Sequence, residues 1–156
     1  MLKEGQKAPA FRLSSVEGGT VSLEDLRGKP VVLYFYPKDD TPGCTREACA
    51  FRDSQAQIAK TGAVVLGVSP DGVSSHEKFR DKYRLSFPLL SDPDKLVAKK
   101  FGAYGEKTLY GKKVVGMIRS TFIIDGAGVV RKVFPRVRVD GHAEKVLEAL
   151  RTLGSR

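Results

Sequence analysis

Two short runs of apolar residues predict buried strands in the first half of the chain. They cover residues 31–36 and 63–68, and both are rich in β-branched or aromatic side chains. Between them, apolar residues recur at spacings typical of one face of a helix that ends near Gly62: Cys44, Ala48, Phe51 and Ile58. A strand, a helix and a second strand in this order predict a parallel pair with a right-handed crossover, and therefore an α/β protein.

Shorter segments extend this unit on both sides. Before it, residues 11–13 and 21–23 flank a turn-rich stretch and predict an N-terminal β-hairpin, followed by a short helical turn over residues 22–28. After it, residues 119–124 and 129–134 read as two strands on either side of a good hairpin turn. Parallel and antiparallel pairs together predict a mixed central sheet.

Three further helices complete the predicted elements. Helical periodicity covers residues 73–83, and a last amphipathic helix covers residues 141–153. Between them, Asp92 and Pro93 are suited to the cap and the first position of a helix that reaches Phe101. We therefore expect the sheet to be flanked by helices.

The longest stretch without a clear pattern covers residues 105–116, which include Lys107, Tyr110, Lys112 and Lys113. Long loops often carry function. A solvated basic hairpin is an equally good interpretation, and the sequence leaves both alternatives open.

The composition is that of a folded domain. Of the 156 residues, 41% are hydrophobic and 29% are charged, which argues against a disordered or fibrous protein. We expect residues 1–156 to form a single domain that buries about two thirds of its unfolded surface. No segment has the ~18 apolar residues of a membrane span, and residues 1–5 lack the apolar stretch of a secretory signal. These features predict a cytoplasmic protein.

A formal net charge of +9 raises nucleic-acid binding as an alternative function. The basic residues are scattered along the chain in small groups, at residues 99–100, 112–113, 131–132 and 136–138. No recognised DNA-binding or RNA-binding module accompanies them. We therefore expect a basic surface, with neither nucleic acid nor membrane as a partner.

Of the two cysteines, Cys44 lies where a reactive thiol is expected. Thr41 and Pro42 are suited to the cap and first position of a helix, which places Cys44 in its first turn. Unpaired backbone N–H groups and the positive end of the helix macrodipole favour a thiolate there, and the thiolate is the nucleophile. The alternative is a small side chain without chemical function.

Cys49 lies five residues further along the same predicted helix. In an intact helix the two Cα atoms would lie about 8.6 Å apart, which exceeds the roughly 6.8 Å that a disulfide spans. Cys49 is therefore either a small core residue or a second thiol that reacts after the first turns unwind. No metal site is expected, because His76 and His142 are distant in sequence and give no zinc spacing with the cysteines.

Four neighbours bear on the chemistry of Cys44. The Thr41 hydroxyl could donate to a thiolate, and Pro37 would stiffen the preceding loop and shield it from water. Glu47, one turn on, would oppose thiolate formation unless it had a cationic partner. Arg119, at the start of a predicted buried strand, is a candidate for that partner, although an ordinary exposed arginine is the default interpretation of its local sequence.

The stretch from Pro37 to Cys49 resembles the active-site signature of peroxiredoxins, in which a proline, a threonine and a cysteine follow at these spacings. Its residues 41–49, TPGCTREAC, are similar to the subfamily of bacterioferritin comigratory proteins (BCP), or PrxQ, which carries a second cysteine five residues downstream. Other segments agree in order: residues 5–11, 87–92, 110–112 and 119–125.

The resemblance implies a thioredoxin-like fold and a thiol-dependent peroxidase that needs no cofactor. By position, Cys44 would attack hydrogen peroxide or an organic hydroperoxide and become a sulfenic acid. Cys49 would then condense with it to form an intramolecular disulfide. The expected partners are a peroxide substrate and a thioredoxin-type dithiol reductant that reduces this disulfide, and we expect a monomer with a role in antioxidant defence.

The same resemblance implies supporting roles around Cys44. Thr41 and Arg119 would hold the thiolate and polarise the peroxide, and backbone N–H groups near Gly43 would stabilise charge on the departing oxygen. Pro37 and Glu47 would line and support the site, Glu47 by holding Arg119.

A thioredoxin-like disulfide reductase is the competing enzyme hypothesis. It predicts two residues between the cysteines, whereas four intervene here. A basic interaction module is the alternative from the binding class.

Overall fold

The computed structural model describes residues 1–154, which form a mixed sheet with helices on both of its faces. The strands are β1 (Arg12–Ser15), β2 (Thr20–Ser22), β3 (Val31–Phe35), β4 (Val64–Ser69), β5 (Leu89–Ser91), β6 (Tyr104–Leu109), β7 (Lys112–Met117), β8 (Ser120–Ile124) and β9 (Val130–Phe134). The helices are α1 (Pro42–Lys60), α2 (Val73–Tyr83), α3 (Leu96–Phe101) and α4 (His142–Gly154), with a single 3₁₀ turn at Glu24–Leu26.

The central sheet contains seven strands in the described part of the chain, in the order β2-β1-β5-β4-β3-β8-β9. Strand β4 runs parallel to both β3 and β5, while β8 pairs with β3 in the antiparallel sense. The β3-α1-β4 unit is therefore the predicted parallel pair with its connecting helix. The hairpins β1-β2 and β8-β9 are also confirmed.

The side chains of β3 alternate between two hydrophobic cores. Tyr34 stacks on Phe51 of α1 in one core, with 4.9 Å between the ring centroids. Phe35 packs against Phe101 of α3 in the other core, on the opposite face of the sheet. Burial on both faces explains why this strand is a continuous apolar run rather than an alternating pattern. Cys44 belongs to the first core.

The predicted start of α3 is wrong. The helix begins at Leu96, because Lys95 adopts the left-handed conformation, with φ of 59°, and interrupts any helix that started at Pro93. The Asp92 carboxylate still serves the helix, since it accepts a hydrogen bond from the backbone N–H of Ala98 at 3.0 Å. The capping residue is therefore separated from its helix by one turn.

Residues 105–116 form a regular hairpin rather than a loop. Strands β6 and β7 pair in register from Tyr104 opposite Met117 to Leu109 opposite Lys112. Tyr110 and Gly111 form the connecting turn, and both have positive φ, as two-residue hairpin turns require. The structure therefore confirms a hairpin as the conformation of this segment.

Among the helices of residues 1–154, none combines the length and the apolar character that a membrane crossing requires.

Candidate active site

Cys44 lies in the first turn of α1, as predicted. Thr41 is the N-cap residue, in an extended conformation, and Pro42 is the first helical residue. The thiol is buried, with 1% of the residue exposed, at the end of the loop that connects β3 to the helix. It therefore sits among the unpaired N–H groups of the helix start, which favour a negatively charged sulfur.

Arg119 contacts the sulfur directly. Its Nη2 donates to Sγ of Cys44 at 3.1 Å, and its Nη1 donates to Oε1 of Glu47 at 2.7 Å. The sheet explains how residues so far apart in sequence meet. Because Ser120 pairs with Phe35 in the antiparallel register of β8 and β3, Arg119 lies beside the loop that leads to Cys44.

Gly43 makes this approach possible. A Cβ atom at position 43 would lie 3.2 Å from Nη2 of Arg119, closer than nearly all real Cβ contacts. The missing side chain therefore leaves room for the guanidinium to reach Cys44.

Glu47 is a buried carboxylate with one partner. Only 1% of the residue is exposed, and within residues 1–154 its Oε2 has no hydrogen-bond partner. Burial raises the pKa of Glu47 from its ordinary 4.5 to about 7, although the charge and hydrogen bond of Arg119 oppose this shift. The cationic partner that the sequence required for Glu47 is therefore present, and it is Arg119.

The hydroxyl of Thr41 does not donate to the sulfur of Cys44 in this structure. It donates to the backbone carbonyl of Lys38 at 2.8 Å. A hydroxyl has one hydrogen to give, so the donation to the Cys44 thiolate that we predicted is not made in this structure. That contact would require the hydroxyl to rotate away from the Lys38 carbonyl.

Cys49 is half-buried on the same helix as Cys44, and both are free thiols. Helix α1 is continuous from Pro42 to Lys60, so no unwound turn separates them. This is the helical arrangement in which the two sulfurs are expected to be too far apart to bond.

A groove of about 830 Å³ opens beside Arg119. Pro37 lines it, as do the hairpin strand β6 and the segment at residues 136–137. The guanidinium that contacts Cys44 thus also faces a space large enough for a small substrate. Lys107 of β6 lines the same groove, and no local sequence signal distinguishes it from the other lysines of the hairpin.

A buried hydrogen-bond network fixes the loop before α1. The Asp39 carboxylate accepts from the Tyr36 hydroxyl at 2.6 Å and from the Ser75 hydroxyl at 2.8 Å, and it lies 2.7 Å from Nδ1 of His76. The other ring nitrogen of His76 donates to a backbone carbonyl of β5 at 3.0 Å. Sequence reasoning missed this network, because a Lys-Asp-Asp stretch is typical of an exposed turn.

The geometry combines a buried thiol, a guanidinium and a helix start in one site. The sequence profile described as the AhpC/TSA family matches residues 4–133. The chain belongs to this family.

Named relatives refine the assignment to peroxiredoxins. The chain is 53% identical over 149 residues to the putative peroxiredoxin bcp of Coxiella burnetii, covering 96% of this chain and 99% of that protein. It is 45% identical over 152 residues to peroxiredoxin Bcp of Bacillus subtilis, covering 97% of both. The predicted BCP/PrxQ subfamily is confirmed, and the protein is a peroxiredoxin, a thiol-dependent peroxidase.

A solved structure confirms the predicted thioredoxin-like fold. The bacterioferritin comigratory protein of Xanthomonas campestris, studied for its alkyl peroxide reduction activity, superposes with a TM-score of 0.87 at 42% identity and covers 92% of each chain. This peroxiredoxin therefore carries the site described above on the scaffold of that subfamily.

Proposed function

We propose that this peroxiredoxin reduces hydrogen peroxide and organic hydroperoxides through Cys44, and that Cys49 resolves the oxidised sulfur as an intramolecular disulfide. The observation that carries the proposal is the 3.1 Å contact between Nη2 of Arg119 and Sγ of Cys44. A cation against a buried sulfur stabilises the thiolate, which is the reactive form.

In the first step, the Cys44 thiolate attacks the terminal oxygen of the peroxide. An S–O bond forms and the O–O bond breaks, so the sulfur loses two electrons and the departing oxygen leaves as water or an alcohol after it gains a proton. Arg119 polarises the peroxide, and the N–H groups of Gly43 and Cys44 stabilise the charge that develops on the departing oxygen. Pro37 borders the substrate space, and Thr41 rotates to hold the peroxide.

Glu47 positions Arg119 in this step. Its carboxylate holds Nη1 at 2.7 Å, which leaves Nη2 directed at the sulfur. A planar guanidinium fixed at one nitrogen has little freedom at the other. Glu47 therefore acts through Arg119 rather than on the substrate.

In the second step, the Cys49 thiolate attacks the Cys44 sulfenic acid. The S–S bond forms, the S–O bond breaks, and the departing hydroxide takes a proton from solvent to leave as water. The helix between the two residues must first unwind. One feature supports this motion: the N-cap of α1 has no side-chain cap hydrogen bond.

A dithiol protein of the thioredoxin type then reduces the disulfide by thiol exchange.

The alkyl peroxide reduction activity of the Xanthomonas campestris protein supports organic hydroperoxides as substrates. The proposed working unit is a monomer. The proposed reaction requires reduced cysteines, and the cytoplasm is a compartment that keeps thiols reduced. We therefore propose that the protein is cytoplasmic.

The test is peroxide turnover coupled to a thioredoxin system, measured for the parent, Cys44→Ser and Cys49→Ser. Cys44→Ser is expected to lose all turnover, and Cys49→Ser to complete one oxidation and then stop. Turnover by Cys44→Ser at the parental rate would overturn the assignment of the peroxidatic thiol.

A further inference from the structure

Lys107 differs from the other lysines of the hairpin. Its Nζ donates to the backbone carbonyl of Met117 at 2.5 Å, and its side chain is half-buried. Lys112 and Lys113 are exposed. The ammonium is thus held in a defined position beside the strand end that leads to Arg119.

The Lys107 ammonium also belongs to the electrostatic environment of the site. It lines the groove that Pro37 and Arg119 line. Burial and the charge of Arg119 lower the pKa of Lys107 below its ordinary 10.5, while negative charge on Cys44 opposes the shift. The Lys107 ammonium is therefore a stronger acid than that of an exposed lysine.

The departing oxygen needs a proton that Arg119 does not supply. Hydroxide and alkoxides are strong bases and poor leaving groups unless they are protonated as the O–O bond breaks. A guanidinium stays protonated, and the pKa of Arg119 is raised further by Glu47 and Cys44 against the effect of its burial. Glu47 is bound to Nη1 of that guanidinium, whereas Cys44 is bound to Nη2, so the guanidinium lies between the carboxyl group and the sulfur.

We propose that Lys107 is the general acid that protonates the departing oxygen. The inference rests on the proposed role of Cys44. In balanced form, the Cys44 thiolate, the peroxide and the Lys107 ammonium give Cys44 sulfenic acid, water or an alcohol, and neutral Lys107. The O–O bond and one N–H bond of Lys107 break, one S–O bond and one O–H bond form, and Lys107 regains its proton from solvent.

Two oxidants with different leaving groups test this role. Hydrogen peroxide releases hydroxide, which needs the proton, whereas peracetic acid releases acetate, which does not. The measurement is the second-order rate of Cys44 oxidation by each oxidant in stopped flow, for the parent, Lys107→Met, Lys107→Arg and the control Lys113→Met. Lys113 lies in the same hairpin, and its exposed ammonium is 3.5 Å from Glu106.

For Lys107→Met, the rate with hydrogen peroxide is expected to fall about 100-fold, while the rate with peracetic acid changes less than about threefold. Lys107→Arg keeps the charge but not the transferable proton, so it is expected to show the same selective loss. Lys113→Met should match the parent with both oxidants.

An equal loss with both oxidants would assign Lys107 a purely structural or electrostatic role and overturn the proposal, as would no loss with either. Full rescue by Lys107→Arg would also overturn it. These outcomes are distinct from failure of the proposed function, which would appear as no oxidation of Cys44 in the parent protein itself.

Discussion

Arg119 and Glu47 form a buried ion pair at 2.7 Å, and the free end of that same guanidinium lies 3.1 Å from the sulfur of Cys44. The pair connects a residue just before β8 to the first turns of α1. The guanidinium thereby connects the thiol of Cys44 to the carboxylate of Glu47.

Replacing Arg119 tests the contact with the sulfur. Arg119→Lys keeps a positive charge but cannot bind Glu47 and Cys44 at once, because an ammonium has no rigid fork. We expect the rate of Cys44 oxidation by hydrogen peroxide to fall about 100-fold, the usual effect of losing one donor to developing charge. Stopped-flow oxidation measures it.

Arg136→Lys is the matched control for this experiment, because Arg136 lines the same groove. It is expected to oxidise at the parental rate. Equal losses in the two variants would show that the contact of Arg119 with Cys44 is not special, because any guanidinium of the groove would then matter. No loss in either variant would show that positive charge alone is sufficient.

Gly43→Ala should lower the rate of Cys44 oxidation while leaving the free energy of unfolding nearly unchanged. The new methyl group would lie 3.2 Å from Nη2 of Arg119 and would displace it from the sulfur. We expect the oxidation rate to fall about tenfold. Stability to urea should change by less than about 1 kcal/mol, since alanine suits the first turn of a helix at least as well as glycine.

Gly72→Ala serves as the control, because nothing lies within 4 Å of a Cβ atom at that position. An unchanged oxidation rate in Gly43→Ala would mean that the reaction does not depend on the observed position of the Arg119 guanidinium.

Glu47 should make the protein less stable as the pH rises. Its pKa is raised from 4.5 to about 7 in the folded protein, so the folded state holds a proton that the unfolded state releases between these values. The resulting stabilisation is complete below about pH 4.5, is lost as the pH rises through 7, and is on the order of 3 kcal/mol.

Urea unfolding at pH 5 and pH 8 measures this effect in the parent and in Glu47→Gln. The glutamine has nearly the same shape and cannot ionise, so its loss of stability between the two pH values should be smaller. Identical losses in both proteins would contradict the buried, titrating carboxylate.

Much of this architecture is predictable from sequence because it depends on local patterns. The continuous apolar run of β3 and the Thr41-Pro42 helix start place Cys44 correctly. The start of α3 is not predictable in this way, since the left-handed conformation of Lys95 has no strong local signal.

The site is less predictable than the fold, because it depends on pairing between distant strands. Charge reasoning identified Arg119 as a candidate partner for Glu47, but their contact requires the register that places Ser120 opposite Phe35. The half-buried state of Lys107 depends on how the hairpin packs, which the lysine-rich sequence does not reveal.

Disulfide formation should unwind the start of α1. The backbone amides of residues 45–49 are expected to be protected from hydrogen exchange in the reduced protein and to exchange at least about tenfold faster after oxidation. Amides of residues 54–60, further along the same helix, provide the internal control. Equal protection of residues 45–49 in both redox states would contradict resolution by Cys49 through local unwinding.

The most direct test of the account is to trap the oxidised sulfur. In Cys49→Ser, one equivalent of hydrogen peroxide followed by dimedone should label a sulfenic acid on the peptide that contains Cys44, as mass spectrometry would detect. The predicted result is stoichiometric labelling of Cys44 in Cys49→Ser and no labelling of Cys49 in Cys44→Ser. Rapid labelling of Cys49 in Cys44→Ser, with Cys44 unlabelled in Cys49→Ser, would contradict the assignment of Cys44 as the thiol that attacks peroxide.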